Sequence, residues 1–202
     1  MATLYYFDIY GKGEVVRVFL TAHGIPFEDK CIQFQEWPDQ KKNFEFHQVP
    51  ALDLDDMKLV QTVSMCRYIS QTRGTYPSDQ FAIYLSESTV DLVEDIRKGM
   101  GKYRAAKDEE GLQKWLQENL PNFLRLLEQR LQQSAFFMGE SPGYPDLYVF
   151  SYTNVQCMRE GQDQYREMLE QHAPSLKQHH EKVLEHFPSL REYISNRPQR
   201  PF

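Results

Sequence analysis

The sequence predicts an α/β unit of order βαβ-ββα over residues 1–74, then an all-helical unit over 79–202, with 75–78 as the linker. Three observations carry that prediction. Strand-type runs rich in aromatic and β-branched residues are confined to the first third of the chain. Turn chemistry clusters in Arg73-Gly74-Thr75-Tyr76-Pro77-Ser78. Beyond it, apolar residues recur only at helical spacing.

The first strand is Leu4-Tyr5-Tyr6-Phe7. A helix follows over 13–22, with Val15, Val16, Phe19 and Leu20 on one face; Gly24 suits the C′ position and Pro26 blocks extension. Residues 27–34 form a second strand, and the strand–helix–strand order implies a parallel pair with a right-handed crossover. Residues 37–46 are irregular or weakly helical. Residues 51–54 and 57–60 make a hairpin around Asp55-Asp56, and a helix runs over 62–72. In the second unit 79–107 is one long helix. Leu112, Leu116, Leu120, Phe123, Leu127 and Leu131 stripe another, which Pro121 should kink. Residues 147–158 are so apolar that they predict a central, buried helix. Before them, Gly143 stands where Ser or Thr would complete a capping box with Asp146. Two shorter helices follow Pro174 and Pro188. His172, His179, His180 and His186 read as solvated.

The chain has 202 residues, 41% hydrophobic and 26% charged, with net charge −6. That acidity argues against nucleic acid or an anionic membrane as partner. No apolar run approaches the ~18 residues of a membrane span. Met1-Ala2-Thr3 leads straight into a strand without a basic leader, and the last residues carry no retention or prenylation signal. Cys31, Cys66 and Cys157 are odd in number and widely spaced, which fits a reducing compartment and no metal site. The expected location is the cytoplasm.

Residues 48–68 carry the most chemistry. Val49-Pro50 opens a short apolar strand, and a cis bond there would turn the Val49 N–H and C=O outward. Gln61-Thr62 ends a strand and opens a helix, whose first N–H groups hold a carboxylate well. An extended edge beside a helix N-terminus suits a ligand with both an amide and a carboxylate, such as glutathione.

In order and spacing, several motifs resemble the cytosolic glutathione transferases, most closely the sigma class with its prostaglandin D isomerases and lens S-crystallins. They are Leu4-Tyr5-Tyr6-Phe7, Gly11-Lys12-Gly13-Glu14-Val15-Val16-Arg17, Glu36-Trp37-Pro38, Val49-Pro50-Ala51-Leu52, Gln61-Thr62, Arg67-Tyr68-Ile69 and residues 139–146. The resemblance spans nearly the whole chain. It implies a thioredoxin-like first domain, a helical second domain and glutathione as co-substrate, without a metal. By it, Tyr6 donates a hydrogen bond to the glutathione thiolate, and Tyr5, on the opposite strand face, packs. Lys12 replaces an arginine of the thiolate environment. Trp37, Lys41 and Gln48 meet the glycyl end, Val49 before Pro50 pairs with the cysteinyl backbone, and Gln61 and Thr62 take the γ-glutamyl end. Asp95 reaches the glutathione of a partner subunit, so a homodimer is implied. Phe7, Tyr10, Tyr103, Tyr148 and Tyr152 line the pocket for a small hydrophobic electrophile between the domains. Two other outcomes stand beside conjugation: a glutathione-dependent prostaglandin H2-to-D2 isomerase, and a non-catalytic crystallin-like relative. Lys98, Lys102 and Arg104 occupy the stretch where the isomerases carry a tryptophan.

Overall fold

The computed structural model describes residues 1–131 and 134–201. The chain divides into two compact units, Met1–Tyr76 with Leu184–Phe202, and Pro77–Val183.

The first unit is built on a four-stranded sheet of order β2-β1-β3-β4: β1 (Ala2–Phe7), β2 (Phe27–Ile32), β3 (Ala51–Leu54) and β4 (Met57–Val60). β1 runs parallel to β2 and antiparallel to β3, and β3 and β4 form an antiparallel hairpin. Strand alternation buries Ala2, Leu4 and Tyr6 on one face and leaves Thr3, Tyr5 and Phe7 half-buried on the other. The hairpin turn holds Asp55 at φ +52° and Asp56 at φ +61°. Two consecutive positive φ values match the right-handed strand twist.

Helix α1 (Gly11–Ala22) joins β1 to β2 and buries Val15, Val16, Phe19 and Leu20. It ends as its sequence predicts: Gly24 takes φ +63° and the Ile25 N–H returns to the Leu20 carbonyl at 2.9 Å. Residues 37–47 fold as a one-turn helix α2 (Trp37–Gln40) and two 3₁₀ turns. Helix α3 (Thr62–Thr72) follows β4 directly.

The second unit is helical. α4 (Gln80–Ala106) starts at Asp79, whose carboxylate accepts the Phe81 and Ala82 N–H groups at 3.0 and 2.9 Å. α5 (Glu109–Leu131) continues through Pro121 as one element and buries its leucine stripe, with Leu124 fully buried next to a half-buried Phe123. Every residue of α6 (Tyr144–Thr153) is buried, and a π-helical turn, Asn154–Met158, extends it. Two helices follow, α7 (Asp163–His172) and α8 (Pro174–His186), the latter capped by Glu128, which accepts the Ser175 and Leu176 N–H groups.

Gly143 makes half of a capping box. Lacking a side chain, it gives no acceptor, but its N–H donates to Asp146 at 2.9 Å. Asp146 also accepts the Phe137 N–H and bonds His179 Nε2, both at 2.8 Å. This corrects the reading as solvated for two of the four histidines, while His172 is half-buried and His186 exposed. His179 is 0% exposed because a buried carboxylate needs partners, and His180 is buried against the Phe150 ring at 4.6 Å with Asn154 on its Nε2.

The last helix, α9 (Pro188–Asn196), and the residues after it belong to the first unit. Ion pairs of Arg197 and Arg200 to Glu14, Asp8 and Asp29, and a hydrogen bond from Tyr193 to Glu14, hold residues 193–201 to the α/β unit.

Candidate functional site

Strand register brings three of the sequence-predicted residues to one end of the sheet. Tyr5 pairs with Ala51, and Ala51 with Val60. Continued by one step, the register sets Tyr6, Pro50 and Gln61 side by side. The Val49-Pro50 bond is cis. Gln61 Nε2 donates to Gln48 Oε1 at 3.1 Å, which closes this end laterally.

Gln61 sits at φ +69°, ψ 109°, and makes no side-chain cap on α3. A non-glycine residue held there costs on the order of 1–3 kcal/mol, a strain concentrated at functional sites. Gln61 stands at the start of α3, whose first residue, Thr62, is buried. The preceding turn is also left-handed, with Phe46 at φ +57° and His47 at φ +51°.

Tyr6 is only 7% exposed. The Lys12 backbone N–H donates to its hydroxyl at 3.1 Å. That N–H belongs to the first turn of α1, the positive end of the helix dipole. A hydroxyl that accepts such a bond is polarised and becomes a stronger donor through its own proton. The contact comes from the Lys12 backbone, while its side chain is exposed. Two glycines make the approach possible. A Cβ on Gly13 would lie 2.3 Å from Tyr6 Cδ1, and one on Gly11, at φ +40°, would lie 2.7 Å from the hydroxyl.

Arg17 lies 6.0 Å from the Tyr6 ring centroid and is 0% exposed. It donates to Asp29 Oδ2 at 2.9 Å, the Ile9 carbonyl at 3.1 Å and Glu14 Oε2 at 3.3 Å. Nε and Nη1 carry these bonds, while Nη2 is buried without a hydrogen-bond partner among the described residues, so the buried charge is held by two of its three nitrogens. Sequence reading passes over Arg17, Gly11 and Gly13 as site residues. The available signals were a charge inside the apolar run Val15-Val16-Arg17-Val18-Phe19 and a Gly-x-Gly just past a strand.

Tyr5 has another environment. Its hydroxyl donates to Asp53 at 3.2 Å, and its ring meets Phe44 edge-on at 5.5 Å. It lines a cavity of about 340 Å³ with Ala51, Lys58 and Val60. Burial first, and Asp53 second, push its hydroxyl pKa up.

Trp37 is half-buried, 5.4 Å from the Phe7 ring and 5.9 Å from Phe44. Phe7 stacks on Phe34 at 4.5 Å. Lys41 and Gln48 are exposed. Tyr10 is 0% exposed, its hydroxyl 3.4 Å from the Pro198 carbonyl, so it offers no surface to a ligand. In the second unit Tyr148 and Tyr152 are likewise fully buried, Tyr148 donating to Glu94 at 2.7 Å; Tyr103 is half-buried. Asp95 is exposed on α4 and pairs with Lys98 at 3.5 Å.

Burial pushes the Cys31 thiol up, and the Cys157 thiol up to about 12. Neither is a ready thiolate. Among the described residues no three His, Cys, Asp or Glu side chains form a metal site, and no helix is long and apolar enough to cross a membrane.

Comparison with known proteins gives the family. Residues 2–71 match the N-terminal domain of glutathione S-transferases and residues 91–197 their C-terminal domain. The chain is 26% identical over 170 residues to hematopoietic prostaglandin D synthase of Gallus gallus, covering 82% of this chain and 85% of that one. It is 25% identical over 166 residues to S-crystallin 4 of Enteroctopus dofleini, covering 73% and 77%. Among solved structures, monomeric Na-GST-3, a glutathione S-transferase from Necator americanus, aligns at a TM-score of 0.84 and 26% identity, covering 100% of this chain and 99% of the other. With both domain families matched and its fold superposing end to end on a solved relative, the chain belongs to the glutathione S-transferase family.

Proposed function

We propose that this chain is a glutathione transferase in which Tyr6 donates a hydrogen bond to the glutathione thiolate, which then attacks a small hydrophobic electrophile. The observation that carries the reading is the Lys12 N–H bond to the Tyr6 hydroxyl at 3.1 Å, which polarises the hydroxyl and makes it a stronger donor. A free thiol has a pKa near ~8.5, and lowering it by ~1–2 units takes about 1.4–2.7 kcal/mol of extra stabilisation of the anion. One or two well-aimed donors supply that. Burial pushes the protein's own Cys31 and Cys157 thiols the other way.

The rest of the ligand follows the sheet end. The γ-glutamyl group lies at Gln61 and Thr62 on the α3 N-terminus. The cysteinyl backbone pairs with the N–H and C=O of Val49 before Pro50. The glycyl carboxylate meets Trp37, Lys41 and Gln48. The protein acts as a homodimer in which Asp95 reaches the γ-glutamyl amino group at the partner subunit's site, and it serves detoxification in the cytoplasm. Wild type conjugates a chlorodinitrobenzene-type electrophile, and Tyr6→Phe loses about 10²–10³-fold in kcat, the usual cost of removing an anion-stabilising donor. An unchanged rate in Tyr6→Phe removes Tyr6 from this role.

A second reading is favoured by the likeness to a prostaglandin D synthase: glutathione-dependent isomerisation of an endoperoxide. Incubation with prostaglandin H2 and glutathione separates the two, since isomerisation regenerates glutathione and conjugation consumes it.

A further inference from the structure

Residues 193–201 close over the turn that leads from β1 into α1. Arg200 is held by two carboxylates, Asp8 Oδ1 on its Nε and Asp29 Oδ2 on its Nη2, both at 2.8 Å. Arg197 pairs with Glu14 and lies 4.8 Å from the Tyr10 ring centroid. The backbone joins in: the Tyr10 N–H donates to the Pro201 carbonyl at 2.9 Å. Tyr193 donates to the other oxygen of Glu14 at 3.0 Å.

These contacts converge on groups that already serve Tyr6. Asp29 Oδ2 accepts from Arg200 and also from Arg17, the guanidinium 6.0 Å from the Tyr6 ring. Glu14 bonds Arg17 as well as Arg197 and Tyr193. The turn at 8–11 carries the Ile9 carbonyl that Arg17 binds, and it ends one residue before the Lys12 N–H that reaches the hydroxyl. Arg197 and Arg200 are nearly buried, and Glu14 is fully so, where charge-assisted bonds are strong and geometrically demanding.

We propose that residues 193–201 are a positioning strap for the thiol-activating tyrosine. Arg200 and Arg197 set the turn at 8–11, and through it the Lys12 N–H and Arg17, so that the Tyr6 hydroxyl is fixed as a donor. The inference rests on the reading of Tyr6 given above. No atom of the strap touches the sulfur; its effect passes through the turn.

Arg200→Ala, Arg200→Lys and Asp8→Asn test it in the full-length protein. Asp8 is 60% exposed, so its variant breaks one ion pair without leaving a buried hole. Three readouts are taken: hydrogen exchange at the Lys12 amide without ligand, thiolate absorbance of bound glutathione against pH, and kcat with KM for glutathione. Arg200→Ala is expected to speed exchange at Lys12, raise the pKa of the bound thiol and lower kcat about tenfold with KM unchanged, as sub-ångström misplacement does. Arg200→Lys keeps the charge but loses the fork that spans two carboxylates, so it falls between. Asp8→Asn shifts all three in the same direction by less. Lower melting temperatures with Lys12 exchange and thiol pKa at wild-type values would overturn the proposal, since that is what a purely structural clasp gives. Faster Lys12 exchange with an unmoved thiol pKa overturns it equally. A wild type that leaves bound glutathione protonated sinks the reading of Tyr6 itself, and Lys12 exchange then still decides whether the strap sets the turn.

Discussion

The two halves of the proposed glutathione site are built from different materials. The recognition half, residues 48–62, uses backbone and exposed side chains: a cis Val49-Pro50 bond, Gln61 at φ +69°, and the Gln48 and Gln61 amides paired at the surface. The activation half uses buried groups: Tyr6 at 7% exposure, Arg17 at 0%, and two glycines whose missing side chains leave room for the tyrosine ring. The first half can exchange its partners for a ligand at little cost, because water already competes for them. The second cannot rearrange without breaking buried ion pairs. On the proposed function, changes in the first are expected to act on glutathione affinity, and changes in the second on how far the thiol ionises.

Gly13→Ala should separate the halves most sharply. Its Cβ would lie 2.3 Å from Tyr6 Cδ1, so the ring must move. A fall in kcat of about 10²-fold is expected with glutathione KM nearly unchanged, the scale of a 1 Å misplacement. If steady-state kinetics show instead a higher KM at constant kcat, the halves are not divided as described. Gln61→Ala tests the other side. Losing a hydrogen bond to a charged γ-glutamyl group costs about 1.5–3 kcal/mol, read as a rise in the glutathione dissociation constant by calorimetry, with the thiol pKa of the complex unmoved.

A pH experiment sharpens the contrast from outside the site. His23 bonds the Phe19 carbonyl and Thr75 at the far end of α1, and burial lowers its pKa below the usual 6.5. The folded state then binds protons less readily than the unfolded one. Its contribution to stability is complete above the ordinary histidine pKa and is lost as pH falls through it. Melting temperature should drop on acidification below that value, and His23→Gln should flatten the dependence without altering thiol ionisation. The smallest effect is expected for Lys12→Ala. Its backbone N–H reaches Tyr6 and survives the substitution, so kcat should change less than about threefold, within the range of a surface substitution.

Local rules made the first unit legible. The hairpin strands and α3 fall at their predicted residues because turn chemistry and a helix start bracket them. α7 escaped because only Tyr165 and Leu169 on it are buried, too few to mark a period. Arg17, His179 and His180 were misread or passed over for one reason. A polar side chain reads as solvated until its buried partner is known, and Asp29, Asp146 and Asn154 lie on other elements. The strap is the extreme case, since Arg200 and Asp8 are 192 positions apart. Tyr10, Tyr148 and Tyr152 illustrate the converse: aromatic residues suit a pocket wall and a core equally, and in the fold all three are fully buried.

The most direct measurement of the central claim is the pKa of glutathione's thiol when bound, from thiolate absorbance against pH in wild type and Tyr6→Phe. The account predicts a wild-type value about 1–2 units below the free thiol's ~8.5 and a return towards that value in Tyr6→Phe, with glutathione still bound. Equal thiol pKa values in the two proteins would contradict it.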